Sequence, residues 1–266
     1  MTLSNIVVLV KYVPDATGDR KFEADNTVDR VGVDGLLSEL DEYAVEQALQ
    51  IKEKRADEEI TVTALTVGPA EAEAAVRKAL QMGADKAVHV SDDAIAGSDA
   101  IATSLVLAKA IEKIGVPELI VGGLASTDGG MSVVPAMLAE RLNLPQVTLA
   151  AVVETQGDQI RIKRDGDTAT EVIGGTLPLV LSVTDQSGEA RYPSFKGIMA
   201  AKKKPLESLS LSDIGVDAGE VGLDAAWTTV EATAARPPRT AGEIVKDEDG
   251  SGATALVDFL ASKKFI

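Results

Sequence analysis

The chain has 266 residues, 45% of them hydrophobic, enough for a sizeable core in one large α/β domain with an appendage or in two small domains. Its formal net charge of −16 argues against nucleic-acid binding, which draws affinity from a basic surface that neutralises phosphates. The absence of cysteine excludes disulfides, thiolate metal sites and a thiol nucleophile, and a lone His89 excludes imidazole clusters and a Ser-His-Asp relay.

Ile6 to Val10 is a continuous apolar run of the kind buried on both faces of a parallel sheet. The segment LLSELDEYAVEQALQIKEK follows, with Leu40, Ala44, Ala48 and Ile51 at helical spacing and Ser38 with Asp41 resembling a capping box. ITVTALTVG reads as a strand, and Gly68 with Pro69 turns the chain into the helix EAEAAVRKALQMGAD, which Gly83 is placed to cap. The strand KAVHV holds His89 as a core or strand-edge residue, Ser98 is placed to cap the next helix, and Leu119 to Val121 is a further buried strand ending at Gly122 and Gly123. This alternation predicts an open, mostly parallel sheet with helices on both faces, a fold that binds ligands at the carboxyl ends of its strands.

From about Leu144, QVTLAAVVETQGDQIRIKRDG and TEVIGGTLPLVLSVT read as strands joined by short turns, a meander added to the sheet. Beyond Leu206 apolar anchors are sparse, so residues 206–266 read as an extended arm ending in the helix ATALVDFLASKK. No apolar run approaches the ~20 residues that span a bilayer. The opening MTLSNIVVLVKYV has no basic region followed by a cleavable apolar stretch, so the chain is expected to be cytoplasmic, or mitochondrial-matrix in a eukaryote.

The chain carries neither G-x-G-x-x-G after its first strand nor G-x-x-x-x-G-K-[ST]. The glycine-rich loop from Gly123 to Val134 leaves a strand end and enters the helix MSVVPAMLAERL, where free N–H groups suit a phosphate; ligand-free turns of this kind are also common. Asp15, Asp41 and Asp128 fall near strand ends without a base or metal partner, so no catalytic set is expected. The remaining anomaly is ARYPSFKGIMAAKKKP, which gathers Arg191, Lys196, Lys202, Lys203 and Lys204 around two aromatic rings in an acidic chain.

Several segments together resemble the β subunit of electron-transfer flavoprotein: VKYVPD, DEYAVEQALQIKEK, VGPAEAEAAVRKALQMGADKAVHV, and above all RYPSFKGIMAAKKKP with the later PPRTAGE. The resemblance runs over nearly the whole chain. It implies a Rossmann-like, adenine-nucleotide-binding domain over residues 1–205, with a recognition loop at 190–205, and an arm at 206–266 packed on a partner α subunit. It implies that β buries a structural AMP while the redox-active FAD is held mainly by α, and that β has no catalytic residues of its own.

By the same resemblance, AMP lies against Leu9, Ser38, Glu39, Leu40, Asp41, Val67, Gly123, Asp128, Gly129 and Gly130, with its phosphate on the N–H groups around Met131, Ser132, Val133 and Val134. This chain has Val134 and Pro135 where relatives often carry a polar side chain and a glycine, and Pro135 has no N–H to donate. Leu40, the region of Ala16 and Asp165 are expected to face the flavin domain. Tyr192, Phe195, Ile198, Met199, Lys202 and Lys203 are expected to dock partner dehydrogenases of the acyl-CoA dehydrogenase type, with Phe195 as anchor and a quinone-linked oxidoreductase as acceptor. A second flavin in place of AMP, as in bifurcating relatives, is the alternative for the crevice. A stand-alone adenine-nucleotide sensor is the alternative for the whole chain, although it has no use for the long tail.

Overall fold

The computed structural model describes the chain apart from Met1, Asp19, Ala235, Arg236, Glu243 and Glu248; Glu243, the last residue of PPRTAGE, therefore lies outside the described residues. Seven strands form the main sheet: β1 (Asn5–Leu9), β4 (Thr61–Val67), β5 (Lys86–Val90), β6 (Leu119–Gly123), β7 (Gln146–Ala150), β11 (Leu179–Val183) and β12 (Leu206–Leu209). Their order is β12-β5-β4-β1-β6-β11-β7, with every pairing parallel. Between β1 and β4 the chain forms the small hairpin β2 (Tyr12–Pro14) and β3 (Gly35–Leu37) and then α1 (Glu39–Lys54).

Alternate residues of each strand feed two cores, because successive side chains point to opposite faces. Ile6 and Val8 pack with α1 and α2 (Glu73–Met82), whereas Val7 and Leu9 pack with α3 (Ala100–Ile114) and α4 (Val134–Leu142). The expected two-faced α/β sheet is therefore present. His89 is buried at 3% exposure, with Nε2 3.1 Å from the Gly68 carbonyl oxygen, a core role.

The meander divides. β8 (Val152–Gln156), β9 (Gln159–Asp165) and β10 (Thr170–Thr176) form a separate antiparallel sheet, while β7 and β11 on either side of them join the main sheet in parallel. The cause is patterning. β9 alternates, burying Ile160 and Ile162 against the core between polar residues, and only one face of such a strand can be covered; β11 is buried at all five positions and fits a sheet covered on both faces.

Packing does not break at residue 205. β12 pairs with β5, and Leu209, Leu211, Ile214, Val216 and Val221 enter the core beneath α3, with Leu211 and Ile214 on the short α6 (Leu211–Ile214). One compact unit runs to Glu231. These five apolar residues suffice to seat the segment because they point inward, whereas Leu223, Trp227 and Val230 beyond or beside them are exposed. The second unit, Ala232–Ile266, contains α7 (Gly252–Ser262), on which Leu256, Val257 and Phe259 are exposed. Among the described residues no helix is long and apolar enough to cross a membrane.

One expected cap is replaced and another is kept. Asp99, not Ser98, caps α3 by accepting the Ile101 and Ala102 N–H groups, and Ser98 instead accepts the Gly222 N–H at 2.8 Å. Gly83 ends α2 as expected, at φ 147°. Next to that end, α5 (Phe195–Ala201) lies on α2 so closely that a Cβ on Gly197 would stand 2.5 Å from the Gln81 carbonyl oxygen. Gly197→Val is therefore expected to lower folding stability by about 1 to 3 kcal/mol through overpacking. Thermal melts should place Ala200→Val, on the exposed side of the same helix, within about 0.5 kcal/mol of wild type.

Candidate functional site

The chain runs from β1 through β4 to β5, then crosses back to lay β6 on the other side of β1, so the topological switch point lies between β1 and β6. In open α/β sheets ligands bind outside the carboxyl ends of the strands at such a point. Both segments leaving these strands end in helix starts. After Leu9 the chain passes through the β2–β3 insertion to α1, and after Gly123 it passes through the glycine-rich loop to α4.

The two helix starts are stitched together at Gly123, where a Cβ would lie 2.6 Å from the Leu40 carbonyl oxygen and 2.7 Å from Asp41 Oδ1. Ser38, fully buried, accepts the Thr127 N–H on its hydroxyl at 3.3 Å, and Asp41 accepts the Lys11 N–H at 2.9 Å. The expected capping box is thus not formed, because both side chains are drawn across to neighbouring segments.

Within the loop, Gly130 and Ser132 adopt left-handed φ values of 61° and 58°. Among the described residues the N–H groups of Met131, Ser132 and Val133 have no acceptor. Nor do the buried hydroxyls of Thr127, in this loop, and Thr66, one residue beyond the Leu65 partner of Leu9. Leu9 is buried, Val67 half-buried, and Gly129, Gly130, Met131 and Ser132 are exposed.

Asp128 is committed to protein groups. Lys11 Nζ lies 3.0 and 2.9 Å from its two carboxylate oxygens, Arg30 Nη2 reaches Oδ2, and the Gly129 N–H donates at 2.7 Å. Burial opposes its ionisation, but the Lys11 and Arg30 charges outweigh burial and hold the carboxyl well below the usual range. Arg20 adds a bond to the Thr127 carbonyl, so the β2–β3 insertion is tied to the loop at two places. Lys11, Arg20, Arg30, Thr66 and Thr127 did not emerge from the sequence. Only Lys11, a charge closing an apolar strand, left a local signal there.

Glu39 is exposed and Leu40 half-buried at the start of α1, and Ala16 is exposed in the turn after β2. Asp165 is apart from them, at the end of β9, where it accepts the Thr170 hydroxyl at 2.6 Å.

The basic stretch separates into structural and free parts. Arg191 forks onto Glu46 and Glu53 of α1; burial works against ionised Glu46, and the Arg191 bonds overcome it, holding that carboxyl below its usual range. Lys204 donates to the Leu80 and Ala84 carbonyls at the end of α2, which suits the negative pole of that helix. Lys196, Lys202 and Lys203 are exposed. So are Tyr192 at 89%, Phe195 at 81%, and Ile198 and Met199, on or beside a helix whose start Ser194 caps by accepting the Gly197 N–H. Among the described residues no three acidic or imidazole side chains gather as a metal site.

An open parallel sheet with two tethered helix starts at its switch point defines an α/β protein with a crevice at the carboxyl ends of β1 and β6. The family model for the electron transfer flavoprotein domain matches residues 25–214. The electron transfer flavoprotein subunit beta of Mycobacterium tuberculosis is 49% identical over 267 residues, covering 99% of this chain and 100% of that relative. The protein of the same name in Thermoanaerobacterium thermosaccharolyticum is 37% identical over 263 residues, covering 98% and 100%. That of Bacillus subtilis is 36% identical over 260 residues, covering 97% and 98%. The chain belongs to the electron transfer flavoprotein family, among its β subunits.

The crevice makes its own pH prediction. Burial pushes the Asp41 carboxyl up to about 8; the Lys11 N–H and charge pull the other way, and the Asp128 carboxylate adds to the rise. A carboxyl raised on folding contributes stability that is complete below its unfolded value near 4 and is lost as pH rises through the folded value. Asp41→Asn removes that loss. Melting temperatures of variant and wild type should therefore diverge in favour of the variant from about pH 5 to about pH 8 and run parallel above it.

Proposed function

We propose that this chain is the β subunit of a heterodimeric electron-transfer flavoprotein that holds a structural AMP at the β1–β6 crevice and docks partner dehydrogenases through the Tyr192–Met199 patch. FAD, held mainly by the α subunit, accepts electrons from acyl-CoA dehydrogenase-type flavoenzymes and delivers them to a quinone-linked oxidoreductase. The observation that carries the reading is the pair of rings, Tyr192 and Phe195, exposed at 89% and 81% beside a helix pinned by Gly197, Arg191 and Lys204. A rigid element that presents apolar anchors to solvent fits an interface hot spot.

The crevice supports the nucleotide half of the reading. A phosphate would take the unpaired N–H groups of Met131, Ser132 and Val133, while ribose or adenine polar atoms would satisfy the orphaned hydroxyls of Thr66 and Thr127. Leu9 and Val67 supply apolar walls, and Ser38 to Asp41 with Gly123 form the floor. Asp128 acts from behind, through Lys11 and Arg30. Leu40, Ala16 and Asp165 are assigned to the side facing the flavin domain. The arm beyond Glu231 is assigned to the α subunit, against which Leu256, Val257 and Phe259 would be covered.

Phe195→Ala should weaken dehydrogenase association by about 2 kcal/mol or more, roughly thirtyfold in kcat/KM for the partner, with little change in melting temperature. Reduction of the heterodimer by an acyl-CoA dehydrogenase, followed by flavin absorbance, measures this; unchanged kinetics would remove the docking role. Replacing Lys202 and Lys203 with Gln should act mainly on the association rate and its salt dependence.

Gly130→Val should lower AMP content, read by mass spectrometry of the heat-released nucleotide. A Cβ at Gly130 meets no atom within 4 Å, so the effect comes from forcing a β-branched residue into φ 61°, a strain of about 1 to 3 kcal/mol in the loop. A heat-released flavin in place of AMP would overturn the nucleotide assignment.

A further inference from the structure

Asp41 has a place in the crevice that its role in the fold does not exhaust. Its carboxylate sits at the junction from which the glycine loop departs, with Oδ2 on the Lys11 N–H at 2.9 Å and Oδ1 against Gly123. The side chain is shut away from water, the residue being 7% exposed. Its neighbours Ser38 and Gly123 bond to or lead into the same loop, through the Ser38 hydroxyl on the Thr127 N–H.

Among the described residues the charged groups closest to it are Lys11, Arg30 and Asp128, with the exposed Arg20 farther out on the Thr127 carbonyl. Lys11, at the end of β1, lies between Asp41, which takes its N–H, and Asp128, which takes its ammonium. Arg30, from the β2–β3 insertion, reaches the pair through Asp128. On α1 itself, Glu39 is exposed and Glu42 faces Lys78 of α2 at 3.7 Å. The segment after β11 bonds to α1 farther along the helix, through Gln47 with the Ser187 carbonyl and Arg191 with Glu46 and Glu53, and its turn also carries Asp185. With Asp41 neutral, Lys11, Arg30 and Asp128 leave one positive charge over. Ionising Asp41 cancels it.

We infer that Asp41 couples anion binding at this crevice to proton uptake: its neutral form leaves the net positive charge that a phosphate on the loop N–H groups requires, and its ionised form opposes the phosphate. The inference rests on the nucleotide reading above and deepens it. Two effects act in the same direction. An ionised Asp41 adds a buried negative charge at the base of the loop that would carry the phosphate, and it also repels Asp128, the carboxylate through which Lys11 and Arg30 hold the loop. Burial raises the Asp41 carboxyl to about 8, which puts the transition above neutral pH. The phosphate has its own second ionisation near 6, so a dependence caused by the ligand falls on the other side of neutrality.

The test uses the heterodimer stripped of nucleotide and titrated calorimetrically with AMP. The AMP dissociation constant should rise about tenfold between about pH 7 and about pH 9, and binding near pH 8 should take up protons, seen as a binding heat that depends on the ionisation enthalpy of the buffer. In Asp41→Asn both effects should vanish, and adenosine, which has no phosphate, should bind wild type with a flat profile over the same range.

A wild type that binds AMP with a flat profile and no proton uptake overturns the inference and leaves the nucleotide reading standing. An Asp41→Asn protein that keeps the wild-type dependence, or an adenosine profile equal to that of AMP, overturns it as well. Failure of the wild type to bind AMP at neutral pH defeats the nucleotide reading and this inference together. If Asp41→Asn yields no heterodimer, the buffer dependence of the wild type alone decides.

Discussion

The carboxyl end of the sheet depends on the missing side chain of Gly123. With a Cβ there, 2.6 Å from the Leu40 carbonyl and 2.7 Å from Asp41, the first turn of α1 would have to lift from β6. That turn begins the face that buries Ala44, Val45 and Ala48 against the sheet, so the movement would open the core as well as the crevice. Because α1 comes this close, Ser38 reaches Thr127, Asp41 reaches Lys11, and the two segments that leave the switch point are held as one unit. The unpaired N–H groups at Met131 to Val133 follow from the same constraint. The loop folds back far enough for the Gly130 N–H to reach the Ser126 carbonyl, but the two left-handed residues turn the next three amides away, and among the described residues these have no acceptor.

Positive charge is used sparingly in this acidic chain and most of it near the candidate sites is internal. Lys11 and Arg30 are paired with Asp128, Arg191 with Glu46 and Glu53, and Lys204 with two helix-end carbonyls. A partly buried ion pair offers little net stability once desolvation is counted, but losing one partner strands the other. Such pairs therefore act here chiefly as geometric ties. They fix the loop at one end of the fold and α5 at the other, and Lys196, Lys202 and Lys203 remain as solvent-facing charge beside the exposed rings.

The exposed rings and the free amides are both departures from what a stable isolated fold requires. Burying a Phe or satisfying an amide would be favourable, and a chain selected only for stability would do so. Both are held in place by surrounding contacts. Gly197 and Ala201 seat α5 on α2 so that Phe195 has no inward route, while Gly130 and Ser132 turn the loop through left-handed φ values, easy for the glycine and disfavoured for the serine.

The sequence by itself determined the periodic parts of this protein: the apolar strands β1 and β6, the helices between them, the end of α2 at Gly83, and the glycine loop leaving a strand end. These are legible because burial on one or two faces imposes a period on neighbouring residues. It also carried the family, through RYPSFKGIMAAKKKP and the other matched segments. Only the tertiary structure decided which strands share a sheet, because β8 to β10 and β7 with β11 are separated by pairing partners far away in the chain. It alone brought Arg30 to Asp128 across 98 residues and Arg191 to Glu46 across 145, and it alone turned Ser38 and Asp41 from helix caps into ties between segments. Polar side chains have no period and more than one possible partner. Which partner each one takes is settled by the fold that surrounds it.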